Sequence, residues 1–352
     1  MILFLSQYPH TEEQFRDGFY QRVINIDNFF KEEERVYLDV QLIRNFKKTV
    51  YRKENRIVYS CNLILNFYLI LKLFNKASII YIQSLHNVFY NFFFIRMMRK
   101  KYVLDLHGVV PEELEMQNQV IKSKIYNLME RMIHNRIDIC IAVTKKLAHH
   151  YTIKYPLSKT KYIIYSILPN NIENTPIDIL ELSENKKLNV IYSGNTQPWQ
   201  NIDLMLRKIK ETNSDKIIYT ILTGELKKMN DLLLTYNLQH RENIKVFSVE
   251  PSELSSFYKE CSYGFILRDD VIINNVACPT KLIEYLNYGI IPIVLSDNIG
   301  DFKELGYESI DINDFNGNLP NRKSSINRNI IGRMIVENNI DLKSVIYSIL
   351  IR

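Results

Sequence analysis

Short apolar segments rich in β-branched residues alternate with longer amphipathic stretches along most of the chain. The runs ASIIYIQ (77–83) and DICIAV (138–143) are apolar without alternation, which is typical of strands covered on both faces. The pattern predicts strands at 2–6, 36–42, 78–82, 101–106, 138–143, 161–165, 188–193, 217–223, 243–248, 262–267 and 290–294. It predicts helices at 12–30, 60–75, 85–99, 119–135, 144–154, 200–212, 225–236, 252–260 and 280–288. Short connections between alternating strands and helices indicate parallel sheets built from right-handed βαβ units.

Two prolines and a cluster of Asn and Glu interrupt this alternation in LPNNIENTPIDILELSENKK (168–187). We interpret 169–187 as a linker between an N-terminal domain, 1–168, and a C-terminal domain, 188–329. A final helical stretch, 330–352, can pack back across the domain boundary. The predicted fold class is therefore α/β, with two Rossmann-like, doubly wound parallel-sheet domains. Such sheets bind ligands at the carboxyl ends of their strands, so we expect the two domains to face each other across a ligand cleft.

The composition excludes several other classes of protein. Hydrophobic residues make up 46% and charged residues 24% of the chain, which excludes wholesale disorder. The four cysteines show no C-x-x-C spacing, which argues against a zinc ribbon or a disulfide framework and suits a reducing cytosol. No apolar run is long enough to span a bilayer, and the N-terminus lacks the basic region of a signal peptide. These features predict a cytoplasmic protein whose contact with a membrane would be peripheral.

Positive charge is concentrated in the N-terminal half. Residues 1–168 contain 25 Lys and Arg against 15 Asp and Glu, whereas 169–352 contain 20 against 24. The basic cluster at 96–101 directly follows the aromatic stretch VFYNFFFI (88–95), a combination that is used for contact with anionic lipid. A polyanionic partner and a solvated basic face both fit this asymmetry. Nucleic acid is the less favoured polyanion, because no helix-turn-helix, RNP-like or zinc pattern accompanies the basic half.

The segment NNVACPTKLIEYLNYG (274–289) is the most specific one in the sequence. It brings Pro279 and Thr280 to the start of a predicted helix and Lys281 to its first turn. The free N–H groups and the positive dipole at a helix start bind phosphate, and the charge of Lys281 would strengthen that binding. Glu284 lies one turn later on about the same face, where it can accept hydrogen bonds from vicinal hydroxyls such as those of a ribose. A capped helix with a surface Lys and Glu would show the same pattern without any ligand.

Two further segments place polar residues at the ends of predicted strands. In LNVIYSGN (188–195), Gly194 permits the close backbone approach that a diphosphate requires. In KYVLDLHGVVPEE (101–113), His107 ends a buried strand, and Glu112 and Glu113 follow on the same loop. An imidazole at this edge of a sheet can hydrogen-bond a hydroxyl or carbonyl of a ligand.

In their order along the chain, these segments together resemble the family 4-like glycosyltransferases, which have the GT-B architecture of two facing Rossmann-like domains. Segment 274–296 resembles the donor-nucleotide helix of that family, which commonly shows a Glu-x7-Glu pair. Glu284 matches the second Glu, which binds the ribose, whereas Val276 stands at the first position. Segment 188–206 resembles the opening of the nucleotide-binding domain. There, Asn195 and Gln200 stand where the family commonly has an Arg and a Lys that grip the phosphates.

The resemblance implies roles for particular residues. Arg268 and Lys281 would supply the charge of the missing Arg and Lys, and His107 would hydrogen-bond the transferred sugar. Backbone amides of the 274–278 loop, or Asp269 and Asp270, would replace the missing first Glu. Segment 16–27 resembles the acceptor-side loop, in which Arg22 would face an anionic acceptor group such as a lipid pyrophosphate. The implied site comprises catalytic residues His107, Arg268, Lys281 and Glu284, donor-binding residues Gly194, Asn195, Gln200, Pro279 and Thr280, and acceptor-side residues Asp17, Gly18, Arg22, Glu112 and Glu113.

The implied activity is that of a retaining, metal-independent glycosyltransferase. It would move a sugar from a nucleoside diphosphate sugar, UDP- rather than GDP-linked, to a glycan or lipid-linked acceptor in the synthesis of a bacterial surface polysaccharide. No cofactor is implied. Asp269 and Asp270 do not form a D-x-D metal site, and the adjacent His149 and His150 point about 100° apart on a helix and cannot share one ion. A sugar-nucleotide epimerase of the same fold and a non-catalytic sugar-nucleotide-binding subunit remain alternatives.

Overall fold

The protein is described by a computed structural model that covers residues 1–11, 14–15, 17–166, 168–169, 172 and 187–351. The chain divides into two compact units. The first unit is Met1–Ser166 together with Ile340–Arg352, and the second unit is Ile167–Asn339. Apart from 169, 172 and 187, the predicted linker 169–187 lies outside the described residues.

The first unit is built on an eight-stranded sheet whose central strands are buried. Its strands are β1 (Ile2–Leu5), β2 (Arg35–Gln41), β3 (Thr49–Lys53), β4 (Arg56–Asn62), β5 (Ile79–Gln83), β6 (Lys101–Leu106), β7 (Ile139–Ala142) and β8 (Lys161–Ile164). They lie in the order β3-β4-β2-β1-β5-β6-β7-β8. Neighbouring strands are parallel except for β3, which runs antiparallel to β4 at the edge of the sheet. Continuous runs such as ILFL and ICIA form β1 and β7 because both faces of a parallel sheet are covered.

Helices connect the strands of the first unit. They are α1 (Gly18–Phe29), α2 (Phe67–Lys76), α3 (Val88–Met97), α4 (Val110–Met116), α5 (Val120–His134) and α6 (Lys145–Lys154). Side chains cap two of them, because Asp17 accepts a hydrogen bond from the N–H of Phe19 in α1 and Thr144 accepts one from the N–H of Leu147 in α6. Right-handed crossovers place α2, α3, α5 and α6 on one face of the sheet and α1 on the other.

The second unit repeats this arrangement with a six-stranded sheet. Its strands are β9 (Leu188–Ser193), β10 (Ile217–Leu222), β11 (Ile244–Phe247), β12 (Tyr263–Ile266), β13 (Ile291–Val294) and β14 (Ile310–Asp311), in the order β11-β10-β9-β12-β13-β14. Neighbouring strands are parallel throughout. The helices are α7 (Ile202–Glu211), α8 (Leu226–Thr235), α9 (Leu254–Glu260), α10 (Ile272–Asn275), α11 (Thr280–Asn287), α12 (Phe302–Leu305) and α13 (Ser325–Asn338). The prediction of two doubly wound α/β sheets is therefore confirmed.

The last helix, α14 (Leu342–Ile351), belongs to the first unit. Leu342 and Ile346 pack there in the same hydrophobic cluster as Val23 and Ile26 of α1. The single helical stretch predicted at 330–352 is thus two helices in two units. The carboxylate of Asp341 accepts a hydrogen bond from the N–H of Ser344, and this contact stabilises the start of α14.

Residues 49–62 also differ from the prediction, which left 43–59 unassigned and began a helix at residue 60. They form the hairpin of β3 and β4, and the helix begins only at Phe67. Asn62 ends β4, where its carboxamide accepts a hydrogen bond from the N–H of Ile64 and donates one to the carbonyl of Leu42. The apolar residues before Asn62 thus belong to β4, and those from Phe67 onward belong to α2. No helix among the described residues has the length and apolar character needed to cross a membrane.

Candidate functional site

The loops that follow β9 and β12 meet the start of α11 at the carboxyl edge of the second sheet. Gly194 directly follows β9 with a φ of +143°, a backbone conformation that is essentially restricted to glycine. A Cβ atom added to Gly194 would lie 2.9 Å from Nζ of Lys281, which is in the first turn of α11. The glycine therefore lets this loop and the Lys281 amine approach each other.

Replacing Gly194 by alanine is expected to lower the free energy of unfolding of the second unit by about 1–3 kcal/mol. The strain comes from the positive φ, because the long side chain of Lys281 can move away from the added methyl group. Urea unfolding followed by fluorescence measures the loss. Gly224→Ala is the matched control, since its added Cβ would have no neighbour within 4 Å, and we expect a change within about 0.5 kcal/mol. Equal effects of the two substitutions would contradict this role of Gly194.

Two partly buried cations, Lys281 and Arg268, lie beside this loop. Nζ of Lys281 donates a hydrogen bond to Oε1 of Gln200 over 2.9 Å and lies 4.1 Å from the ring centroid of Tyr192. Nη1 of Arg268 donates a hydrogen bond to Oδ1 of Asn274 over 3.3 Å. Burial and the nearby Arg268 charge lower the pKa of Lys281 well below its ordinary value and outweigh the opposing effect of the Glu284 carboxylate. Burial also lowers the pKa of Arg268.

These two cations lack a neutralising carboxylate in direct contact. None of the ion pairs formed by described residues includes Lys281 or Arg268. Holding two positive charges close together away from water is costly unless an anion compensates them. The arrangement is therefore that of an anion site at the amino end of α11.

Glu284 lies one turn after Lys281 and borders a small pocket. Its Oε2 accepts a hydrogen bond from the Tyr258 hydroxyl over 3.0 Å, and that hydroxyl is 2.8 Å from Oγ of Ser193. Burial raises the pKa of Glu284, and the hydrogen bond from Tyr258 opposes that rise. The pocket beside this carboxylate is lined by Pro169, Ile172, Pro251, Leu254, Ser255, Tyr258, Glu284, Asn287 and Tyr288. An apolar pocket with one carboxylate suits a flat ring that carries hydroxyl groups.

The remaining donor-side predictions have mixed outcomes. Gln200 contacts Lys281, as described, whereas the side chain of Asn195 is exposed and accepts a hydrogen bond from the N–H of Gln197 within its own turn. Pro279 is the N-cap of α11 and Thr280 its first residue, so both lie at the start of the helix as predicted. Pro279 offers no side-chain acceptor, and the amino end of α11 has no side-chain cap.

The suggested substitutes for the missing first Glu are engaged elsewhere. Val276 is buried. Oδ2 of Asp269 accepts a hydrogen bond from Asn201, and Oδ1 of Asp270 accepts hydrogen bonds from Asn275 and Asn298. Among the described residues, no group of three His, Cys, Asp or Glu side chains has the arrangement of a metal site. The backbone N–H groups of residues 274–277 also donate hydrogen bonds, to the carbonyls of Val271, Ile272 and Asn274, so they are engaged as well.

In the first unit, His107 follows β6 at the carboxyl edge of the sheet. Its Nε2 lies 3.2 Å from Oε1 of Gln83 and 3.8 Å from Oδ1 of Asp105. Because both neighbours are acceptors, Nε2 carries the hydrogen and Nδ1 is free to accept one. Nε2 of Gln83 is buried and has no hydrogen-bond partner among the described residues. His107 therefore offers an acceptor atom, Nδ1, and Gln83 offers a donor atom, Nε2, at this edge of the sheet.

The structure contradicts the prediction that Arg22 faces an anionic acceptor. It is 1% exposed, and its guanidinium donates two hydrogen bonds to Asp105, over 3.1 and 2.9 Å, and one to the carbonyl of Tyr165. Burial acts to raise the pKa of Asp105, but Arg22 and His107 outweigh it and hold this pKa far below its ordinary value. Arg22 is therefore a buried support for Asp105 and does not face an acceptor.

The other acceptor-side candidates also make contacts within the first unit. Asp17 is exposed and caps α1, and Gly18 is the exposed first residue of that helix. Glu112 accepts a hydrogen bond from Lys154, and this cation and His150 overcome the effect of burial and lower the pKa of Glu112 to about 2. Glu113 accepts a hydrogen bond from the N–H of Val109, and burial raises its pKa. Their acceptor-side role stays a prediction.

Sequence reasoning missed the aromatic residues that hold the donor-side groups. Tyr192 lies beneath the Lys281 amine, Tyr258 binds Glu284, and the Tyr285 hydroxyl accepts a hydrogen bond from the N–H of Ser193 over 3.0 Å. A tyrosine within an apolar run looks like a core residue in the sequence. Tyr285 was visible in the motif EYL, but only its contact with β9 shows that it ties α11 to the sheet.

Comparison with known proteins identifies the fold. No protein-family model matches the sequence, and no curated protein matches it. The fold resembles HepE of Anabaena in complex with UDP-glucose at 14% identity and a TM-score of 0.64, over 98% of each chain. It resembles the lipopolysaccharide outer core galactosyltransferase WaaB at 12% identity and a TM-score of 0.64. It also resembles the α,α-trehalose 6-phosphate synthase of Burkholderia multivorans at 10% identity and a TM-score of 0.61. Each of these two matches covers 99% of both chains. These structural neighbours are glycosyltransferases of the GT-B architecture, and the fold of this chain is theirs.

Proposed function

We propose that this protein is a retaining glycosyltransferase that uses a nucleoside diphosphate sugar as its donor. The observation that carries the proposal is the pair of partly buried cations, Lys281 and Arg268, beside Gly194 at the amino end of α11. A diphosphate has the charge that this position lacks. The UDP-glucose held by HepE supports UDP as the nucleotide.

Glu284 would bind the nucleoside of the donor. Its carboxylate borders the small pocket formed by Pro251, Leu254 and Tyr258, where it offers an acceptor to hydroxyl hydrogens. The hydrogen bond from Tyr258 fixes one oxygen, Oε2, so Oε1 is the oxygen that accepts from a ribose hydroxyl. Anchoring the ribose here fixes where the attached diphosphate lies.

Transfer requires no covalent intermediate with the protein. The bond between the anomeric carbon and the β-phosphate oxygen of the donor breaks, and the acceptor oxygen bonds to the same face of that carbon. The acceptor proton passes to the leaving phosphate. Lys281 and Arg268 would stabilise the negative charge that grows on this phosphate, and His107 would hydrogen-bond the transferred sugar. This course follows from the family resemblance.

The acceptor we propose is a lipid-linked glycan at an anionic membrane surface, in the synthesis of a bacterial surface polysaccharide. The excess of basic residues in 1–168 and the aromatic stretch at 88–95 support it. A lipid-linked acceptor would keep the protein peripheral on the inner face of the cell membrane.

Replacing Glu284 by glutamine is expected to weaken UDP binding by about 10-fold, with a smaller change in kcat, because the lost interaction is present in both ground and transition states. Thermal shift and calorimetric titration with UDP, GDP and ADP measure the binding, and UDP should stabilise the wild type most. Glu304→Gln, on α12 of the same unit, is the control. UDP binding that is unchanged in Glu284→Gln would refute the assignment.

Products formed from radiolabelled UDP-sugars test the reaction class. A glycosidic product supports transfer. An epimerised sugar would identify the epimerase alternative, and bound donor without product in the presence of acceptor extracts would identify a non-catalytic subunit. Either of the last two results would overturn the proposed activity.

A further inference from the structure

Three helices of the first unit, α2, α3 and α5, lie side by side on one face of its sheet. The ring centroid of Phe67 in α2 is 5.2 Å from that of Phe94 in α3, and the centroid of Phe89 in α3 is 5.8 Å from that of Tyr126 in α5. Right-handed crossovers place all three helices on the same face. They therefore form one continuous layer with a shared outer side.

The outer side of this layer is strongly apolar. Tyr68 in α2 is 78% exposed, Met97 in α3 is 65% exposed and Ile121 in α5 is 77% exposed. We call the docking face the set of exposed apolar residues on these helices and in the turn before α2, namely Ile64, Leu65, Phe67, Tyr68, Leu71, Phe89, Phe93, Met97, Val120, Ile121, Ile125, Leu128 and Met132. Exposed apolar surface of this extent marks a site of contact with another molecule or a membrane.

The charges on the docking face have one sign. The exposed basic residues of the three helices are Lys72, Lys76, Arg96, Lys122, Lys124 and Arg131. The helices contain a single acidic residue, Glu130, which is fully buried and bound by Lys154, Tyr151 and Tyr155. The three helices thus contribute apolar and basic residues to the outer side and no exposed carboxylate of their own, while Lys76, at the end of α2, pairs with the exposed Glu34.

We propose that the docking face binds the anionic surface of a lipid bilayer. Aromatic and aliphatic side chains would enter the headgroup boundary while Lys and Arg pair with lipid phosphates. The helices contain 10, 10 and 15 residues, so the contact is with the surface and does not span the bilayer. A second copy of this chain fits less well, because pairing two such faces would bring like charges together.

This inference deepens the proposed function and rests on it for the lipid-linked acceptor. The turn containing Ile64 follows β4, and His107 follows β6, so both lie at the carboxyl edge of the same parallel sheet. Asn62 ties that turn to the loop after β2, where Ile43 is exposed as well. A bilayer on the docking face would present a lipid-linked acceptor near the edge that carries His107.

Vesicle co-sedimentation of the full chain tests the inference. We expect binding to vesicles of phosphatidylcholine with about one third phosphatidylglycerol, at least about tenfold weaker binding to phosphatidylcholine alone, and loss of binding in about 0.5 M salt. Arg96→Glu/Lys124→Glu and Phe93→Ser/Ile121→Ser should each weaken binding to the anionic vesicles at least about tenfold. Lys227→Glu/Val336→Ser makes the same kinds of change at exposed positions of the second unit and should leave binding unchanged.

Two results would overturn the inference. One is binding that is equal on neutral and anionic vesicles or unchanged in the docking-face variants. The other is a concentration-dependent dimer in light scattering that the variants dissolve while vesicles are not bound, which would assign the face to a second copy. UDP binding is measured on the same variants and should not change. Its absence from the wild type would refute the proposed function, whereas vesicle binding would stand by itself.

Discussion

Replacing Lys281 by methionine is expected to lower kcat/KM for sugar transfer about 100- to 1,000-fold. Methionine keeps most of the length of the side chain and removes the charge that would face the leaving β-phosphate. Removing one preorganised donor to a developing negative charge costs about 3–4 kcal/mol of transition-state stabilisation. Because this interaction strengthens as the donor bond breaks, the fall in kcat should exceed the rise in KM for the donor.

The same substitution should not lower the stability of the ligand-free protein. Lys281 lies near a second cation and its pKa is lowered by burial, so the ligand-free protein tolerates this amine at a cost. We expect the Tm of ligand-free Lys281→Met to equal or exceed that of the wild type, and its thermal shift with UDP to be largely lost. Lys303→Met, which removes an exposed ion pair with Asp297, is the control and should retain activity. An unchanged kcat/KM, or a strongly lowered Tm, would show that Lys281 has a structural role instead.

Replacing Arg22 by methionine is expected to lower the free energy of unfolding of the first unit by about 3–5 kcal/mol, because the buried carboxylate of Asp105 loses its partner. Far-UV circular dichroism during urea unfolding follows both units, whereas the single tryptophan, Trp199, reports on the second unit alone. The loss should therefore appear in the circular dichroism transition of the first unit. Lys76→Met removes the exposed ion pair with Glu34 and should cost less than about 1 kcal/mol.

The pH dependence gives a second readout of the same ion pair. The folded-state pKa of Asp105 lies below its unfolded value, so the stabilisation is complete above about pH 4 and is lost as the pH falls further. In Arg22→Met, burial should raise this pKa, so the difference in stability between wild type and variant should shrink as the pH falls from 7 towards 4. Arg22→Met/Asp105→Asn should recover at least half of the loss. A loss that is independent of pH and is not recovered would point to packing of the Arg22 side chain instead of its charge.

The periodicity of the sequence was sufficient for most of the fold. Continuous apolar runs identified the buried parallel strands, because a strand that is covered on both faces has apolar residues at successive positions. The β3–β4 hairpin was missed, because the edge strand β3 is exposed and its charged residues resemble a loop, and because β4 is mostly only half-buried. The break between α13 and α14 was missed for another reason, since both segments have helical sequences and only their packing in different units separates them.

The candidate site was predicted in part. Four residues of the site were predicted from short motifs that can be recognised within one segment, such as a glycine after a strand or charges one turn apart on a helix. They are Gly194, Gln200, Lys281 and Glu284. Arg22 shows where such reasoning fails, because nothing near it in the sequence identifies its partner, Asp105, 83 residues away. A lone arginine after a strand looks like a ligand contact until its burial is known.

By itself, the sequence determined most of the order of strands and helices, the two α/β sheets, and the basic, aromatic character of the first 168 residues. These properties depend on spacing along the chain, which the sequence contains in full. Only the tertiary structure determined that Lys281 and Arg268 form no ion pair within the described residues and that Tyr192 and Tyr258 contact Lys281 and Glu284. It alone also showed that Arg22 is buried. Those properties depend on which residues meet across loops and sheets, and on which side chains lose contact with water when the chain folds.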